Sequence, residues 1–349
     1  MSDKRTVELA RLVEASLSRR RLMQTAVAAG AVAALPLTLR GAAAQETLKI
    51  AFSVPGLNFP FFVHMMKMAQ EHAQALGNID FVPLDGQDQG SPSSAKQSSD
   101  LEAAVASGVK GIVISPNDAD ALAPAIQAAI DAGVPVVTVD RNVTGAKTLA
   151  HVGADNVKGG ELQGEYVVKI LPDGGDIYEL QGQPGATPAI DRHKGLDNVL
   201  SKDDKIKVPV SQTANFDRAQ ATSVFEAALQ GNPPPKAVVC ANDDMALGVV
   251  EVAKAQNLSV PILGYDSLPE ALLAIRDGQM AATIEQFPGQ QASQALDILV
   301  AYLREKKEPA QHDTYLTPAL ITKDNLGVAE RAVEAGITPA ASPAATPAA

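Results

Sequence analysis

Asp140 and Arg141 stand side by side at the end of an apolar run over 135–139. A carboxylate accepts hydrogen bonds from two neighbouring hydroxyl groups, and a guanidinium donates through a fixed fork, so the pair is equipment for holding a polyhydroxylated molecule. Similar groups follow other apolar runs, Asn242 after 237–240 and Asp266 after 262–264; Gln286 ends the extended stretch 281–286, and Arg192 lies inside a helical stretch. Phe61, Phe62, Phe216 and Tyr265 add flat apolar faces of the kind that cover the C–H surface of a ring. Aromatic residues make up only 4% of the chain, so their placement beside these polar groups carries information. Each residue also has a plainer explanation. Asp140 and Arg141 would serve as a loop ion pair, Asn242 or Asp243 as a helix N-cap, and Phe61 and Phe62 as ordinary core. Taken singly those explanations are the commoner ones; the shared position at strand ends favours ligand contact.

Catalytic chemistry finds no comparable set. No Gly-x-Gly-x-x-Gly follows a strand and no Gly-x-x-x-x-Gly-Lys-Ser/Thr occurs, which speaks against dinucleotide and phosphate loops. His64, His72, His151, His193 and His312 lack metal-ligand spacing, and the run from Asp85 to Asp88 has no later Gly and Glu to complete a calcium loop. No nucleophile is paired with a base. The chain therefore reads as a binding protein with no cofactor, no metal and no enzymatic turnover.

The elements that must position these residues follow a simple alternation. Short apolar runs at 50–54, 81–84, 111–114 and 135–139 are separated by helical patterns at 61–76, 93–107 and 120–132. The alternation restarts with helices at 158–170, 189–200, 217–230 and 243–255 between runs at 177–180, 208–212, 238–240 and 260–263. A helix at 269–277, a run at 281–286, a helix at 290–305 and an extended stretch at 314–321 complete it. Strands joined by helices of this length imply right-handed crossovers and parallel sheets, and two rounds imply two similar α/β lobes. In such sheets ligands sit beyond the carboxyl ends of the strands, where the polar groups fall.

The ends of the chain read differently. Residues 1–44 place Arg19-Arg20-Arg21-Leu22-Met23 before an Ala-rich apolar run over 26–39 and the small residues Ala42-Ala43-Ala44. This is the order of a cleavable signal peptide with a twin-arginine-type motif, with cleavage expected after Ala44. The apolar run is short for a membrane span, which takes about 20 residues. The leader carries seven Lys/Arg and three Asp/Glu, so the net charge of −11 leaves −15 on the remainder. Such an acidic body argues against nucleic acid or an anionic membrane as partner. Cys240 is the only cysteine, so no internal disulfide forms and no lipid-attachment cysteine follows the leader. Residues 338–349 read as a disordered Ala/Pro tail.

Seven segments in order now resemble one family: Asn58-Phe59-Pro60-Phe61-Phe62, Val139-Asp140-Arg141, Asp155-Asn156 with Gly159-Gly160, Asn215-Phe216-Asp217-Arg218, the stretch from Asn242 to Gly248, Gly264-Tyr265-Asp266, and the stretch from Ala282 to Gln286. They look like the periplasmic sugar-binding proteins of the ribose-binding branch, over 48 to about 326. The resemblance implies two lobes joined by three hinge crossings, near 154–155, 287–288 and 316–318. One lobe would hold 45–154 with 288–315, the other 155–287 with 316–330. It further implies a periplasmic monomer, not inserted in a membrane, that closes on a monosaccharide or polyol and hands it to an ABC-type permease. Phe61 and Phe62 would stack on one face of the ligand and Phe216 on the other. Asp140, Arg141, Arg192, Asn242, Asp266 and Gln286 would bond its hydroxyls, with Asn58 also in the set and Tyr265 lining the wall.

Two positions depart from that pattern. Ribose binders of the family usually carry Ser where this chain has Pro55, and Asn where it has Phe59. The first lobe thus offers fewer polar contacts than a ribose site, which leaves other pentoses, hexoses, deoxy sugars, sugar alcohols and cyclitols open. An alternative output, presentation of the ligand to a chemoreceptor or histidine kinase, would use the same site. A related transcription regulator would need a helix-turn-helix where the leader stands.

Overall fold

The computed structural model describes residues 46–340. The leader expected over 1–44 lies outside them. Of the expected tail, 341–349 lie outside as well, whereas 338–340 are tied down, with the Ala340 amide donating to the Gly327 carbonyl at 2.7 Å.

Strand β1, Leu48–Val54, is buried along almost its whole length, which is what a strand covered by helices on both faces requires. The chain then forms α1 (Pro60–Leu76), β2 (Ile79–Asp85) and a small hairpin of β3 (Gln87–Asp88) and β4 (Ser91–Pro92). Next come α2 (Ser94–Ala106), β5 (Gly111–Ile114), α3 (Ala123–Asp131), β6 (Val136–Val139) and β7 (Ala150–Ala154). Pro60 opens α1 at a position where a missing N–H costs nothing, and the Ser93 hydroxyl caps α2 by accepting from the Lys96 amide at 3.2 Å.

The second round contains α4 (Asn156–Ile170), β8 (Gly175–Gln181), α5 (Thr187–Leu200), β9 (Ile206–Thr213) and α6 (Arg218–Gly231). It continues through β10 (Ala237–Cys240), α7 (Asp243–Ala255), β11 (Ile262–Leu263), α8 (Pro269–Arg276) and β12 (Thr283–Glu285). The chain then forms α9 (Pro288–Glu305), β13 (Asp313–Leu316) and β14 (Ala319–Ile321).

Two parallel sheets result, ordered β13-β7-β6-β5-β1-β2 and β11-β10-β8-β9, with β12 and β14 paired antiparallel as a separate ribbon. Because β13 joins the first sheet beside β7, the chain passes between the two α/β lobes three times: after β7, after β12 and after β13. In each sheet the order reverses about its earliest strand, next to β1 in the first and β8 in the second, leaving a crevice at the strand ends.

Two expectations change. Residues 150–154 form a strand that the sequence reading left without one, and 314–321 divides into two strands belonging to different sheets. The division falls at Thr317-Pro318, where proline has no amide to continue a ladder.

The two helices that bracket the second lobe's first strand are drawn together by glycine. A side chain at Gly160 of α4 would collide with the Arg192 carbonyl of α5, so only hydrogen there allows this approach. That contact sets the height of Arg192 over the strand ends.

Candidate ligand-binding site

The strand ends and helix starts of both lobes converge on one pocket of about 320 Å³, its opening to solvent included. Its wall consists of Phe59, Phe61, Phe62, Asp140, Arg141, Pro188, Arg192, Phe216, Asn242, Asp266 and Gln286. Nine of the eleven residues singled out from sequence are therefore brought together.

On the first lobe, the start of α1 supplies an aromatic corner. Phe61 and Phe62 meet edge to face at 5.1 Å, and Phe59 lies 6.1 Å from Phe62. Asp140 directly follows β6 in a left-handed conformation, φ 60°, and its carboxylate lines the cleft. There the Ser115 hydroxyl donates to it at 3.3 Å and the Arg141 Nε lies 3.9 Å away. Arg141 donates to the Asn117 carbonyl at 3.0 Å, and its guanidinium lies 5.4 Å from the Phe62 ring centre and 5.6 Å from that of Phe216. One cation thus sits between aromatic plates of opposite lobes.

On the second lobe, Arg192 is fixed from several sides. Its Nε donates to Asn156 Oδ1 at 2.8 Å and an Nη to the Ala241 carbonyl at 2.6 Å, with Asp266 at 3.6 Å. The Tyr265 ring lies beneath its plane at 3.6 Å. Asp266, φ 107°, accepts from the Gln286 amide at 2.6 Å. The carbonyl oxygen of Gln286 is buried and has no hydrogen-bond partner among the described residues, leaving an acceptor open to a hydroxyl donor. Asn242 caps α7 by accepting from the Met245 amide at 3.0 Å, yet its side chain also faces the pocket. Asn242 thus caps a helix and lines the pocket at once.

Burial controls the charges. It pushes the Asp266 carboxyl up to about 7, against the opposing pull of the Arg192 guanidinium. Asp140 is raised in the same way, with Arg141 and Arg192 opposing. Desolvation lowers Arg141 to about 10. Two guanidiniums and two carboxyl groups in one wall leave little net charge, an environment for a neutral ligand rich in hydroxyls.

Two residues named from sequence stand elsewhere. Asn58 is exposed and outside the wall, while its neighbour Phe59 is inside. Tyr265 is fully buried and supports Arg192 from below, so it does not line the pocket. Pro188, in the first turn of α5, was not foreseen; no feature of an isolated proline marks it as a wall residue.

Among the described residues no cluster of three or more His, Cys, Asp or Glu is arranged to hold a metal. The Ser115 hydroxyl rests on a carboxylate with no histidine to activate it, and burial raises the Cys240 thiol far above the thiolate range. No described helix is long and apolar enough to cross a membrane.

Comparison with known proteins agrees with this geometry. The family described as "periplasmic binding protein domain" matches residues 50–307. The ribose import binding protein of Bacillus subtilis is 37% identical over 256 residues, 72% of this chain and 82% of that protein. Its Escherichia coli counterpart is 34% identical, with 83% of this chain and 96% of that one covered. Among solved structures, the Caulobacter myo-inositol binding protein bound to myo-inositol superimposes with a TM-score of 0.77 at 36% identity, covering 83% of this chain and 98% of that one. With the match running through both lobes and 82% to 96% of these relatives covered, this chain belongs to the periplasmic binding proteins, in the branch of the ribose-binding proteins.

Proposed function

We propose that this protein captures a neutral ring bearing several hydroxyl groups, with myo-inositol as the first candidate, and delivers it to an ABC-type permease. The observation that carries the reading is the wall itself: two carboxyl groups, two guanidiniums and two amide side chains together with aromatic rings, contributed by both lobes. A cyclitol offers hydroxyls all around its circumference and C–H groups on its faces, which suits that division. Phe59 supports a choice against ribose, since it puts an apolar ring where ribose binders of the branch carry a hydrogen-bonding Asn. The Caulobacter relative's bound myo-inositol points the same way.

In this reading Phe59, Phe61 and Phe62 cover one face of the ligand and Phe216 the other. Asp140, Arg141, Arg192, Asn242, Asp266 and Gln286 bond its hydroxyls, and Tyr265 holds Arg192 flat. The lobes are 45–154 with 288–315 and 155–287 with 316–330. A ligand that bonds Asp140 and Arg141 on one lobe and Arg192, Asn242 and Asp266 on the other shifts the population toward the closed form that the permease engages. The protein is a monomer exported by a twin-arginine-type signal cleaved after Ala44 and works in the periplasm.

A thermal-shift screen of residues 45–349 against myo-inositol, D-ribose, xylitol and D-glucose tests the reading. A ligand at about 100 times its dissociation constant stabilises a protein by ~2.7 kcal/mol. The expected result is a shift with myo-inositol that Asp140→Ala and Arg192→Ala abolish. A flat response to every sugar and polyol would refute it.

A further inference from the structure

Beside the pocket, two loops that the ligand need not touch join the lobes directly. The loop after β5 presents Asn117 and Ala119; the loop after β8 presents Gln183 and Gly185. The Gln183 side-chain amide donates to the Asn117 carbonyl at 3.2 Å and to Asn117 Oδ1 at 2.9 Å, while its oxygen accepts from Arg141 at 3.4 Å. The Ala119 amide donates to the Gly185 carbonyl at 3.0 Å. One step along, the Asn142 amide donates to the Thr187 hydroxyl at 3.0 Å. Of all these residues only Arg141 also lines the pocket.

Gly185 makes the approach possible. It has φ +82°, and a β-carbon there would run into the Asp118 carboxylate of the other lobe. Asp118 cannot readily turn aside, because its Oδ1 accepts from the Asp120 and Ala121 amides at 3.0 and 2.7 Å. The close contact is thus built from a glycine on one side and a pinned turn on the other.

We infer that these loops form a ligand-independent clasp that sets the resting balance between open and closed forms, making Gln183 and Gly185 affinity-determining residues outside the binding pocket. The inference rests on the solute-capture reading for its consequence, but the clasp acts before any ligand arrives. Only the closed form holds both halves of the site together, so apparent affinity scales with the fraction of protein that is closed. A wild-type clasp lowers the cost of closure; weakening it taxes every ligand by the same factor.

The test measures lobe separation with and without ligand. Spin labels are placed through Glu102→Cys on α2 and Glu226→Cys on α6, both exposed positions, while native Cys240 is buried. Ligand-free wild type should show a short-distance component that Gln183→Ala reduces and Gly185→Val removes. Binding of myo-inositol, followed by calorimetry, should weaken about tenfold in Gln183→Ala, consistent with the loss of several modest hydrogen bonds, and more in Gly185→Val. Ligand-free Gln183→Ala should melt near the wild-type value, since the bonds it loses lie on part-buried loops outside the hydrophobic core, whereas Gly185→Val also carries the cost of a β-branched residue at φ +82°. Ligand-free distance distributions that are the same in wild type and both variants would overturn the inference. If no protein binds myo-inositol, the proposed ligand fails, yet the ligand-free distances still decide on the clasp.

Discussion

Replacing Asp266 by Asn should change how stability depends on pH. The carboxyl has an ordinary value of 3.8 and is pushed up to about 7 in the fold, chiefly by burial. Below pH 4 it is protonated in folded and unfolded chains alike, so pH has no effect through this group. Between pH 4 and 7 the folded protein keeps the proton that the unfolded chain has lost, and stability falls as pH rises. Above about pH 7 both forms are ionised and the contribution is gone. The interval spans about three pH units, and at about 1.4 kcal/mol per unit the loss is about 4 kcal/mol. Asn keeps the shape and can still accept from Gln286 but has no proton to hold. Urea unfolding of both ligand-free proteins at several pH values reads the term: Glu285, which burial pushes to about 8, titrates in both and cancels in the difference, and Asp243, the buried carboxyl that the Asp266 charge also raises, is raised chiefly by its own burial in both. Wild type should lose about 4 kcal/mol relative to Asp266→Asn from pH 4 to pH 7. A difference that stays constant across that range would refute the claim that this buried carboxyl holds a proton in the fold. Ligand adds a second readout. Hydroxyls donate to an ionised carboxylate, so wild-type affinity should rise toward neutral pH and that of Asp266→Asn should not.

Arg192→Lys should weaken myo-inositol binding by about 30-fold in calorimetry, since an ammonium cannot keep the bonds to Asn156 and Ala241 while lying flat on Tyr265. Gly160→Ala should destabilise the ligand-free protein by about 1–3 kcal/mol in denaturant unfolding, because the added methyl group forces α4 away from the Arg192 backbone. Phe59→Asn should move the ratio of ribose to myo-inositol affinity toward ribose by about tenfold, measured by competition, as a buried hydroxyl gains a partner and a ring face loses its plate.

The parallel sheets were legible because strands covered on both faces are written as continuous apolar runs. Where the run is broken, the strand disappears from view. In β7, His151 and Gly153 interrupt the pattern; His151 is nevertheless buried, its Nδ1 3.0 Å from the Thr138 hydroxyl, and burial lowers it to about 4, so it sits neutral in the sheet. The site was legible in residue type and less so in direction. Asn58 and Phe59 are adjacent, and polarity favoured Asn58, but Phe59 occupies the N-cap position of α1 and packs on Phe62 while Asn58 faces out. The neighbours Tyr265 and Asp266 likewise divide their work, one beneath Arg192 and the other in the wall.

What the sequence could not express is the backbone that aims these side chains. Asp140, Phe216, Asp266 and Phe287 all have positive φ, between 58° and 107°. Aspartate tolerates such a conformation moderately well, but an aromatic residue does so at a cost of order 1–3 kcal/mol. Glycine would remove the strain, yet glycine has nothing to offer a ligand. A strand that simply continued would alternate its side chains into the helical layers above and below. Turning the backbone in the one to three residues after the strand instead lets a side chain leave that alternation and reach the pocket. Three of the four positions line the pocket, and the fourth stands where the chain passes from β12 into α9. Other turns also carry left-handed residues, Asn78, Gln89, Asn257 and Lys306 among them, so positive φ alone does not mark the pocket; at Asp140, Phe216 and Asp266 it goes with a side chain in the pocket wall, and the apolar strands behind hold that backbone in place.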